Sequence, residues 1–379
     1  MKESKNKFDV IIVGGGLAGL SSAIHLSKSD VSILLIEKNA YPKHKVCGEY
    51  ISNEVIPYLE FLDIHPFNLG AKKIDRFLLS TPKNRIIETT LPLGGFGISR
   101  YALDQALAKK VTNCGVKILE DSVYDIKFEK ELFTVETKNN FNFTSQIVIG
   151  AYGKRSAIDI KLNRNFIKKE SPFLAVKTHM KGNFPEDLVA LHNFKGGYCG
   201  LSKVEDDTIN VCYIADFNSF KKYKSIEDFQ ENVLYKNPNL KEIFENGISV
   251  FSKPLTISQI SFADKNPVEN HILMCGDTAG MIHPLCGNGM SMAIRSAQLV
   301  SQLIIDYFNG KITARSELEQ NYKKAWNKEF KTRLKFGRII ARLFRKYSFS
   351  EGMMISLKKF PKLLPYIIRK THGEPLKIS

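Results

Sequence analysis

The chain begins with a continuous apolar run that gives way to small residues. Residues 9–13 (Asp-Val-Ile-Ile-Val) predict a strand buried on both faces, because such strands lose the alternation of apolar and polar positions. The segment from Leu17 to about Ser29 is compatible with a helix, and residues 31–36 predict a second buried strand. A strand, a helix and a strand in this order predict a βαβ unit with a parallel sheet.

The middle of the chain alternates apolar and polar positions, as half-buried antiparallel strands do. Strands are predicted over residues 74–80, 85–90, 116–120, 124–128, 133–137, 146–150, 173–180, 188–192 and 208–214. Helices are predicted over residues 100–113, 225–233, 240–245 and 291 to about 308. The fold class is therefore α/β (α+β), a Rossmann-like domain with an inserted β-sheet domain and a helical C-terminal segment.

Three glycines follow the first strand in the spacing Gly14-x-Gly16-x-x-Gly19. Gly14 permits the tight turn, Gly16 lets the backbone approach a pyrophosphate, and Gly19 lets the helix pack closely on the strand. The helix N-terminus offers unpaired N–H groups and its positive dipole end to phosphates, so Leu17 and Ala18 are candidate contacts as well. This context predicts a dinucleotide-binding site.

The second predicted strand is followed by a charged pair, Glu37 and Lys38. Glu37 is placed to accept hydrogen bonds from the hydroxyls of a ribose, as the acid at this position does in dinucleotide-binding folds. We therefore count both residues as candidate cofactor contacts.

A second glycine-rich signal follows the apolar segment 270–275. Its candidate cofactor contacts are Gly276, Asp277, Pro284, Gly287, Asn288, Gly289 and Met290. A carboxylate at a strand end can hold the hydroxyls of a ribityl chain, and a turn that opens a helix can stabilise negative charge on a flavin ring. NAD has no ribityl chain, so the two signals together favour FAD. Asp277 alone could equally be an ordinary helix N-cap.

These motifs resemble the p-hydroxybenzoate hydroxylase-like superfamily of FAD-dependent oxidoreductases, and within it the geranylgeranyl reductase family most closely. The similarity is carried by Lys45-Val-Cys47-Gly48-Glu49, by Arg100-x-x-Leu103-Asp104-x-x-Leu107, and by Gly276-Asp277 with Pro284 and Gly287-x-Gly289. It spans residue 9 to about 305. It implies a discontinuous FAD-binding domain over 1–75, 100–165 and 266–310, and a β-rich substrate domain over 76–99 and 166–265. A basic helical segment over 311–379 follows.

Two positions depart from the family pattern. Tyr152 stands where the superfamily usually has an aspartate associated with FAD and nicotinamide interactions, which leaves the electron donor open. NAD(P)H, if it is the donor, should bind transiently, because no second Gly-x-Gly-x-x-Gly follows a strand. Of the aromatic Tyr-x-Trp-x-Phe-Pro segment typical of the reductases, only Tyr198 is kept.

Cys47 and Tyr198 are the candidate catalytic residues. A cation near Cys47 would lower the pKa of its thiol, although a free cysteine is also a common small core residue. Tyr198 could face the isoalloxazine or belong to the core of the substrate sheet. The resemblance also makes Gly48 and Cys47 cofactor contacts, and Arg100 is a candidate for the FAD phosphate or ribityl region.

The resemblance implies an enzyme that uses reduced flavin to reduce C=C bonds of a long apolar, polyprenyl or lipid-like substrate. The alternative is a flavin-dependent monooxygenase that hydroxylates an aromatic or polyketide-derived lipid. A third reading is a FAD-binding protein without catalysis, whose basic tail associates with RNA. A halogenase is disfavoured, because that branch carries Trp-x-Trp-x-x-Pro and this chain has a single tryptophan, Trp326.

Charge is concentrated near the C-terminus. The net charge is +16, and residues 323–370 hold fifteen Lys and Arg against two acids, a net +13. An apolar stripe at helical spacing (Phe336, Ile339, Ile340, Leu343, Phe344 and Tyr347) accompanies it. Such a helix either packs on the FAD domain or docks on an anionic membrane surface. Nucleic acid is not the expected partner, since no recognised nucleic-acid fold accompanies the charge.

The remaining composition sets the expected compartment. The six cysteines show no Cys-x-x-Cys spacing, which favours a reducing cytoplasmic compartment, with peripheral association on the inner face of the membrane as an extension. No clustered His or Cys pattern predicts a metal site. The sequence predicts no signal peptide. It also predicts no membrane span, because no apolar run approaches about 20 residues.

Overall fold

The fold consists of two β-sheets with helices on their faces. The computed structural model describes residues 6–168, 172–345 and 347–378, and among these it gives the side chains of all but 344, 345 and 347–350.

The first sheet has eight strands and is built on the N-terminal βαβ unit. Its path is β16-β17-β9-β1-β2-β6, and β8 joins β9 with β7 at its side. The bounds are β1 Lys7–Val13, β2 Ile33–Glu37, β6 Lys117–Glu120, β7 Val123–Glu129, β8 Leu132–Thr137, β9 Asn142–Gly150, β16 Val268–Glu269 and β17 Ile272–Met274. β1 lies in parallel between β2 and β9, and its Val10, Ile11 and Ile12 are fully buried. The predicted buried parallel strand is confirmed.

Helices pack against this sheet and against one another. They are α1 Leu17–Leu26, α2 Ile56–Phe61, α3 Arg100–Asn113, α4 Ala157–Lys161 and α8 Gly289–Phe308. α3 begins and ends at the predicted residues. Ser99 is its N-cap, because the Ser99 hydroxyl accepts a hydrogen bond from the Ala102 amide at 3.0 Å.

The second sheet has nine strands and is mostly antiparallel. Its path is β14-β10-β13-β12-β11-β4-β5-β3, with β15 paired to β10. The bounds are β3 Tyr50–Ser52, β4 Lys72–Ser80, β5 Ile86–Gly97, β10 Phe173–Lys181, β11 Leu188–Phe194, β12 Gly197–Val204, β13 Thr208–Asp216, β14 Ile248–Ser249 and β15 Leu255–Ile257. Helices α5 Phe217–Phe220, α6 Ile226–Asn232 and α7 Pro238–Asn246 follow β13.

The second sheet begins earlier in the chain than the alternation predicts. β3 and the first residues of β4 lie within 1–75, which was assigned to the FAD-binding domain, yet both pair within the second sheet. β5 also continues beyond residue 90 to Gly97. A Cβ on Gly95 would lie 2.6 Å from the Ile51 carbonyl oxygen, so glycine is what lets β3 and β5 approach here. Glycine carries no apolar signal, which is why the pattern missed this pairing.

The sequence predicts a helical segment over 311–379, and the described residues of that segment form α9 Arg315–Arg345, α10 Tyr347–Lys359 and α11 Leu363–Thr371. The buried face of α9 consists of Leu318, Tyr322, Trp326, Phe330 and Leu334, spaced four residues apart, and it joins the core of the first domain. Of the predicted stripe, Phe336, Ile340 and Leu343 are half-buried and Ile339 is exposed. The side chains of Phe344 and Tyr347 lie outside the described residues. In the described part of the chain, no helix is long and apolar enough to cross a bilayer.

Candidate cofactor and substrate site

Two of the three glycines after β1 occupy positions that only glycine can fill. Gly14 has φ +105°, and a Cβ there would lie 2.4 Å from the Ala151 carbonyl oxygen. A Cβ on Gly19 would lie 1.9 Å from the Gly14 carbonyl oxygen, so α1 packs directly on the turn. A Cβ on Gly16, by contrast, would meet only the Arg100 guanidinium at 3.8 Å. Gly16 therefore leaves bare backbone facing a cavity, as a bound pyrophosphate requires.

The acid at the end of β2 contacts this turn. One oxygen of Glu37 accepts a hydrogen bond from the Gly15 amide at 2.7 Å, and the Tyr41 hydroxyl donates to the Gly15 carbonyl at 2.6 Å. The other oxygen of Glu37 accepts from the backbone and side-chain amides of Asn39 at 3.1 and 2.8 Å. Glu37 is not among the cavity-lining residues, and its contact with a ribose hydroxyl stays a prediction. Lys38 is exposed beside it and is not among the cavity-lining residues. Its proposed cofactor contact stays a prediction.

The second glycine-rich segment lines the same cavity as the start of α1, and a Cβ on Gly276 would lie 3.2 Å from the Ala18 Cβ of that helix. Gly276 has φ +60°, and its amide donates to the Ser296 hydroxyl at 2.9 Å, which fixes the turn after β17 to α8. Asp277 lines the cavity, and burial raises the pKa of its carboxyl, while Lys265 and Arg100 oppose that rise. The other predicted contacts, Pro284, Gly287, Asn288, Gly289 and Met290, also line the cavity.

Glu49 is the centre of a buried charge cluster that the sequence did not reveal. It has φ +52°, and its carboxylate accepts hydrogen bonds from the Arg100 amide at 2.7 Å, from His179 Nε2 at 2.8 Å and from Lys177 Nζ. Burial disfavours the charged carboxylate, but the hydrogen bond from His179 and the charge of Lys177 outweigh it and lower the pKa of Glu49. Asn210 adds a hydrogen bond to the Gly48 carbonyl at 2.8 Å.

This cluster holds the 45–49 loop in place beside the cavity. Lys177, His179 and Asn210 come from β10 and β13, so the second sheet clamps a loop of the first domain. Lys177 and His179 are two residues apart on β10 and therefore share a face of the sheet. That spacing was visible in the sequence, but their partner Glu49 lies more than 120 residues away.

Arg100 lines the cavity but is already paired. Its guanidinium donates to both oxygens of Asp104 at 2.8 Å, and Lys45 donates to the same carboxylate at 2.8 Å. The predicted Arg100-x-x-Leu103-Asp104 motif is therefore an i,i+4 ion pair at the start of α3. This pairing fixes the guanidinium next to Gly16.

Both candidate catalytic residues line the cavity. The expectation of a low thiol pKa at Cys47 is wrong, because burial raises that pKa more than the charge of Arg100 lowers it. Cys47 is thus a neutral thiol, able to donate a proton but not poised as a thiolate. Burial also raises the pKa of Tyr198, whose ring lies 5.9 Å from that of His283.

Tyr152, at the position of the missing acid, does not line the cavity. Its hydroxyl points to Met274 Sδ at 3.4 Å, while its neighbour Lys154 lines the cavity instead. Burial lowers the pKa of Lys154 to about 8, with Asp277 opposing that shift. Burial lowers the pKa of Lys265 to about 8 as well. Lys154 and Lys265 are thus two cations beside Asp277 that the sequence motifs do not include.

The cavity has a volume of about 380 Å³ and runs from the glycine turns to an apolar wall. The second sheet supplies Phe77, Leu79, Leu91, Val189, Leu191 and Ile214, and the C-terminal helices supply Ile340, Met353, Leu357, Leu364, Ile367 and Ile368. The sequence motifs do not assign the C-terminal segment to the site. Its helical periodicity can be recognised in the sequence, but the surface that its apolar face covers depends on the tertiary structure.

The glycine turn after β1 and the Gly-Asp turn after β17 line one cavity, the arrangement expected of a flavoprotein. The model of the FAD binding domain family matches residues 7–329, so the chain belongs to this family. The protein is thus a FAD-dependent oxidoreductase. Gly16, Asp277 and the turn 287–290 would hold FAD in the cavity, since backbone and a half-buried carboxylate line it there.

Individual relatives are distant but cover most of the chain. The chain is 22% identical to the conditioned medium factor receptor 1 of Dictyostelium discoideum, over 96% of this chain and 73% of that protein. It is 23% identical to a digeranylgeranylglycerophospholipid reductase of Methanococcus vannielii, over 88% of this chain and 84% of that protein. The fold matches the structure of the flavin-dependent brominase Bmp2 with a TM-score of 0.80 at 17% identity, covering 96% and 93% of the two chains.

Proposed function

We propose that the protein reduces C=C bonds of a long apolar substrate of polyprenyl or lipid type. The observation that carries this proposal is the cavity, whose cofactor end continues into a wall of aliphatic side chains. Reduced FAD, when bound, supplies a hydride. The similarity to a digeranylgeranylglycerophospholipid reductase supports the same substrate class.

The residues of this chain would bind, orient and protonate the substrate. The aliphatic wall excludes water, which favours apolar chains and protects the reduced cofactor from side reactions. The neutral thiol of Cys47 and the neutral hydroxyl of Tyr198 both line the cavity and can each donate a proton. NAD(P)H would act as a transient donor in a separate reductive step.

An anaerobic experiment tests the reaction class. The FAD-loaded protein is reduced chemically without oxygen, and a geranylgeranyl lipid or an alkylphenol is added while flavin absorbance is followed. We expect the geranylgeranyl lipid to reoxidise the flavin and to gain two hydrogens per bond. Reoxidation that needs O₂ and leaves an added oxygen in the product would replace the reductase with the monooxygenase.

We also propose peripheral docking on an anionic membrane through a surface that we call the basic tip, residues 358–363. All six of its residues are exposed, including three lysines and Phe360, whose side chain is 60% exposed. No acid lies between residues 352 and 370, and Arg369 and Lys370 add further charge. Leu357 and Leu364, on either side of the tip, line the cavity, so the tip would place the site beside a membrane.

The chain contains a matched control for this docking. Phe217, Lys221, Lys222 and Lys224 form an equally aromatic and basic exposed patch, but acids such as Asp216 and Asp228 surround it. Each basic residue near an anionic surface contributes about 1 kcal/mol. Changing Lys358, Lys359 and Lys362 to serine should therefore weaken co-sedimentation with phosphatidylglycerol vesicles by roughly 100-fold. Changing the three control lysines should have little effect.

The outcomes of this comparison are distinct. Equal losses from both triple variants would show that binding follows net charge alone and would reject the basic tip. Tighter binding to RNA than to vesicles by the wild type would favour the RNA-associated alternative.

A further inference from the structure

Five residues that line the cavity have a buried polar atom without a hydrogen-bond partner in the described part of the protein: Tyr50, Tyr198, Tyr213, Asn288 and His372. Two of these atoms, the Tyr50 hydroxyl and His372 Nε2, belong to neighbouring rings. Tyr50 begins β3, and its ring packs against Gly95 and Gly287, so it lies beside the cofactor turn. His372 follows α11 and comes from the far end of the chain. Their ring centroids are 6.3 Å apart.

The hydrogen-bonding roles of these two atoms follow from their surroundings. His372 Nδ1 lies 2.9 Å from the Ile368 carbonyl, which can only accept, so Nδ1 carries the proton and Nε2 is a bare acceptor. Burial lowers the pKa of His372 to about 4, which keeps the ring neutral. Burial and the nearby Glu54 raise the pKa of Tyr50, so its hydroxyl remains a donor.

The C-terminal residues are fixed firmly enough for this geometry to be specific. Asn288 of the cofactor turn donates to the Thr371 carbonyl at 2.8 Å. The Leu376 amide donates to the Glu54 carbonyl at 2.8 Å, and Gln298 donates to the Lys377 carbonyl at 2.8 Å. The chain is therefore held on both sides of His372. Thr371 before it is bonded to the cofactor turn, and Leu376 and Lys377 after it are bonded to Glu54 and Gln298.

We propose that Tyr50 and His372 form a hydroxyl-binding subsite, which selects a substrate bearing an alcohol or phenol group over one without it. A hydroxyl accepts from Tyr50 and donates to His372, and so satisfies both atoms at once. An ether satisfies only Tyr50, and a hydrocarbon satisfies neither. A buried polar atom that is left unpaired keeps its desolvation penalty, so the subsite favours a ligand with a hydroxyl by about tenfold. This proposal rests on the proposed function, in that the cavity is the substrate site.

The test uses two probe pairs on the FAD-loaded protein: geranylgeraniol with its methyl ether, and 4-hexylphenol with its methyl ether. Binding is measured by the perturbation of flavin absorbance. We expect the wild type to prefer the alcohol over the ether by about tenfold in a pair that binds.

His372→Leu should remove that preference, and His372→Gln, whose amide oxygen replaces the acceptor, should restore part of it. Tyr50→Phe should weaken alcohol and ether alike. Tyr235→Phe, behind the second sheet, should change neither.

Each remaining outcome contradicts a defined statement. An unchanged alcohol preference in His372→Leu overturns the subsite, as do equal binding of alcohol and ether by the wild type and undiminished binding of both by Tyr50→Phe. A loss of FAD from Tyr50→Phe assigns the hydroxyl to the cofactor and also overturns the subsite. Binding of the phenol pair alone, with the expected variant effects, keeps the subsite and rejects the polyprenyl substrate. Binding of none of the probes rejects both.

Discussion

The two ends of the cavity are built from different parts of the polypeptide. At the cofactor end the wall is largely backbone, as at Gly16, Gly276 and Gly287. At the other end it is made of side chains such as Leu79, Leu357 and Ile368, which come from a sheet and two helices. Where backbone forms the wall, an added Cβ disrupts binding or packing at once. Where side chains form the wall, binding changes gradually with their volume and polarity. The two ends should therefore differ in how steeply substitutions act.

The largest effect is expected at Gly19. In Gly19→Val the new Cβ would lie 1.9 Å from the Gly14 carbonyl oxygen, and backbone cannot yield there without separating α1 from β1. We expect a loss of more than about 4 kcal/mol in the free energy of unfolding, measured by denaturant titration. Gly352→Ala is the control, since nothing lies within 4 Å of its Cβ position. A folded Gly19→Val protein would show that the turn is not close-packed.

Gly16→Val should separate folding from cofactor binding. The Cβ position at Gly16 is open on the protein side, so the chain should fold, but the branched side chain would occupy the space of the pyrophosphate. We expect a thermal transition close to that of wild-type apoprotein and a flavin content near zero after reconstitution. Full FAD loading of this variant would place the pyrophosphate elsewhere.

Acid should destabilise the folded protein through buried neutral histidines in α1 and β11. Burial lowers the pKa of His25 in α1 and of His192 in β11 to about 4. The unfolded state, with a pKa near 6.5, therefore binds protons that the folded state refuses, and stability is complete above pH 6.5 and lost as the pH falls towards 4. Each group should cost about 2 kcal/mol at pH 5.

The measurement is the free energy of unfolding between pH 7 and pH 5, for the wild type and for His25→Phe. The variant should show the shallower pH dependence, whatever its stability at pH 7. Parallel curves would mean that His25 is accessible to protons in the folded state.

The smallest effect is expected at Tyr198, in the side-chain wall. Tyr198→Phe removes one hydroxyl and no volume, so substrate-driven reoxidation of the reduced flavin should slow about fivefold, with FAD content unchanged. Tyr235→Phe serves as the matched tyrosine outside the cavity. An identical rate in Tyr198→Phe would assign that residue to packing.

The same difference between the two ends explains which parts could be predicted. Gly14, Gly16 and Asp277 are readable because a backbone site needs particular residues at short, fixed spacings. The wall formed by Met353, Leu357 and Ile368 could not be predicted, because many apolar sequences fill a volume equally well. The sequence also did not indicate the pairing of Glu49 with Lys177. The thiol pKa of Cys47 could not be predicted either, because it depends on burial by elements distant in sequence.

The first sheet is completed late in the chain, and this bears on how the protein is made. β9 ends at Gly150, and its parallel neighbour β17 begins at Ile272, so about 120 residues, which include strands β10 to β15 of the other sheet, separate two paired strands. At a synthesis rate of about 5 to 20 residues per second, Gly276 and Asp277 emerge roughly 6 to 25 seconds after β9. Until then the ribosome-bound chain presents β9 with an open edge and only one of its two cofactor turns. We therefore expect FAD to be captured after β17 has emerged, and the nascent βαβ unit to depend on chaperone protection in that interval.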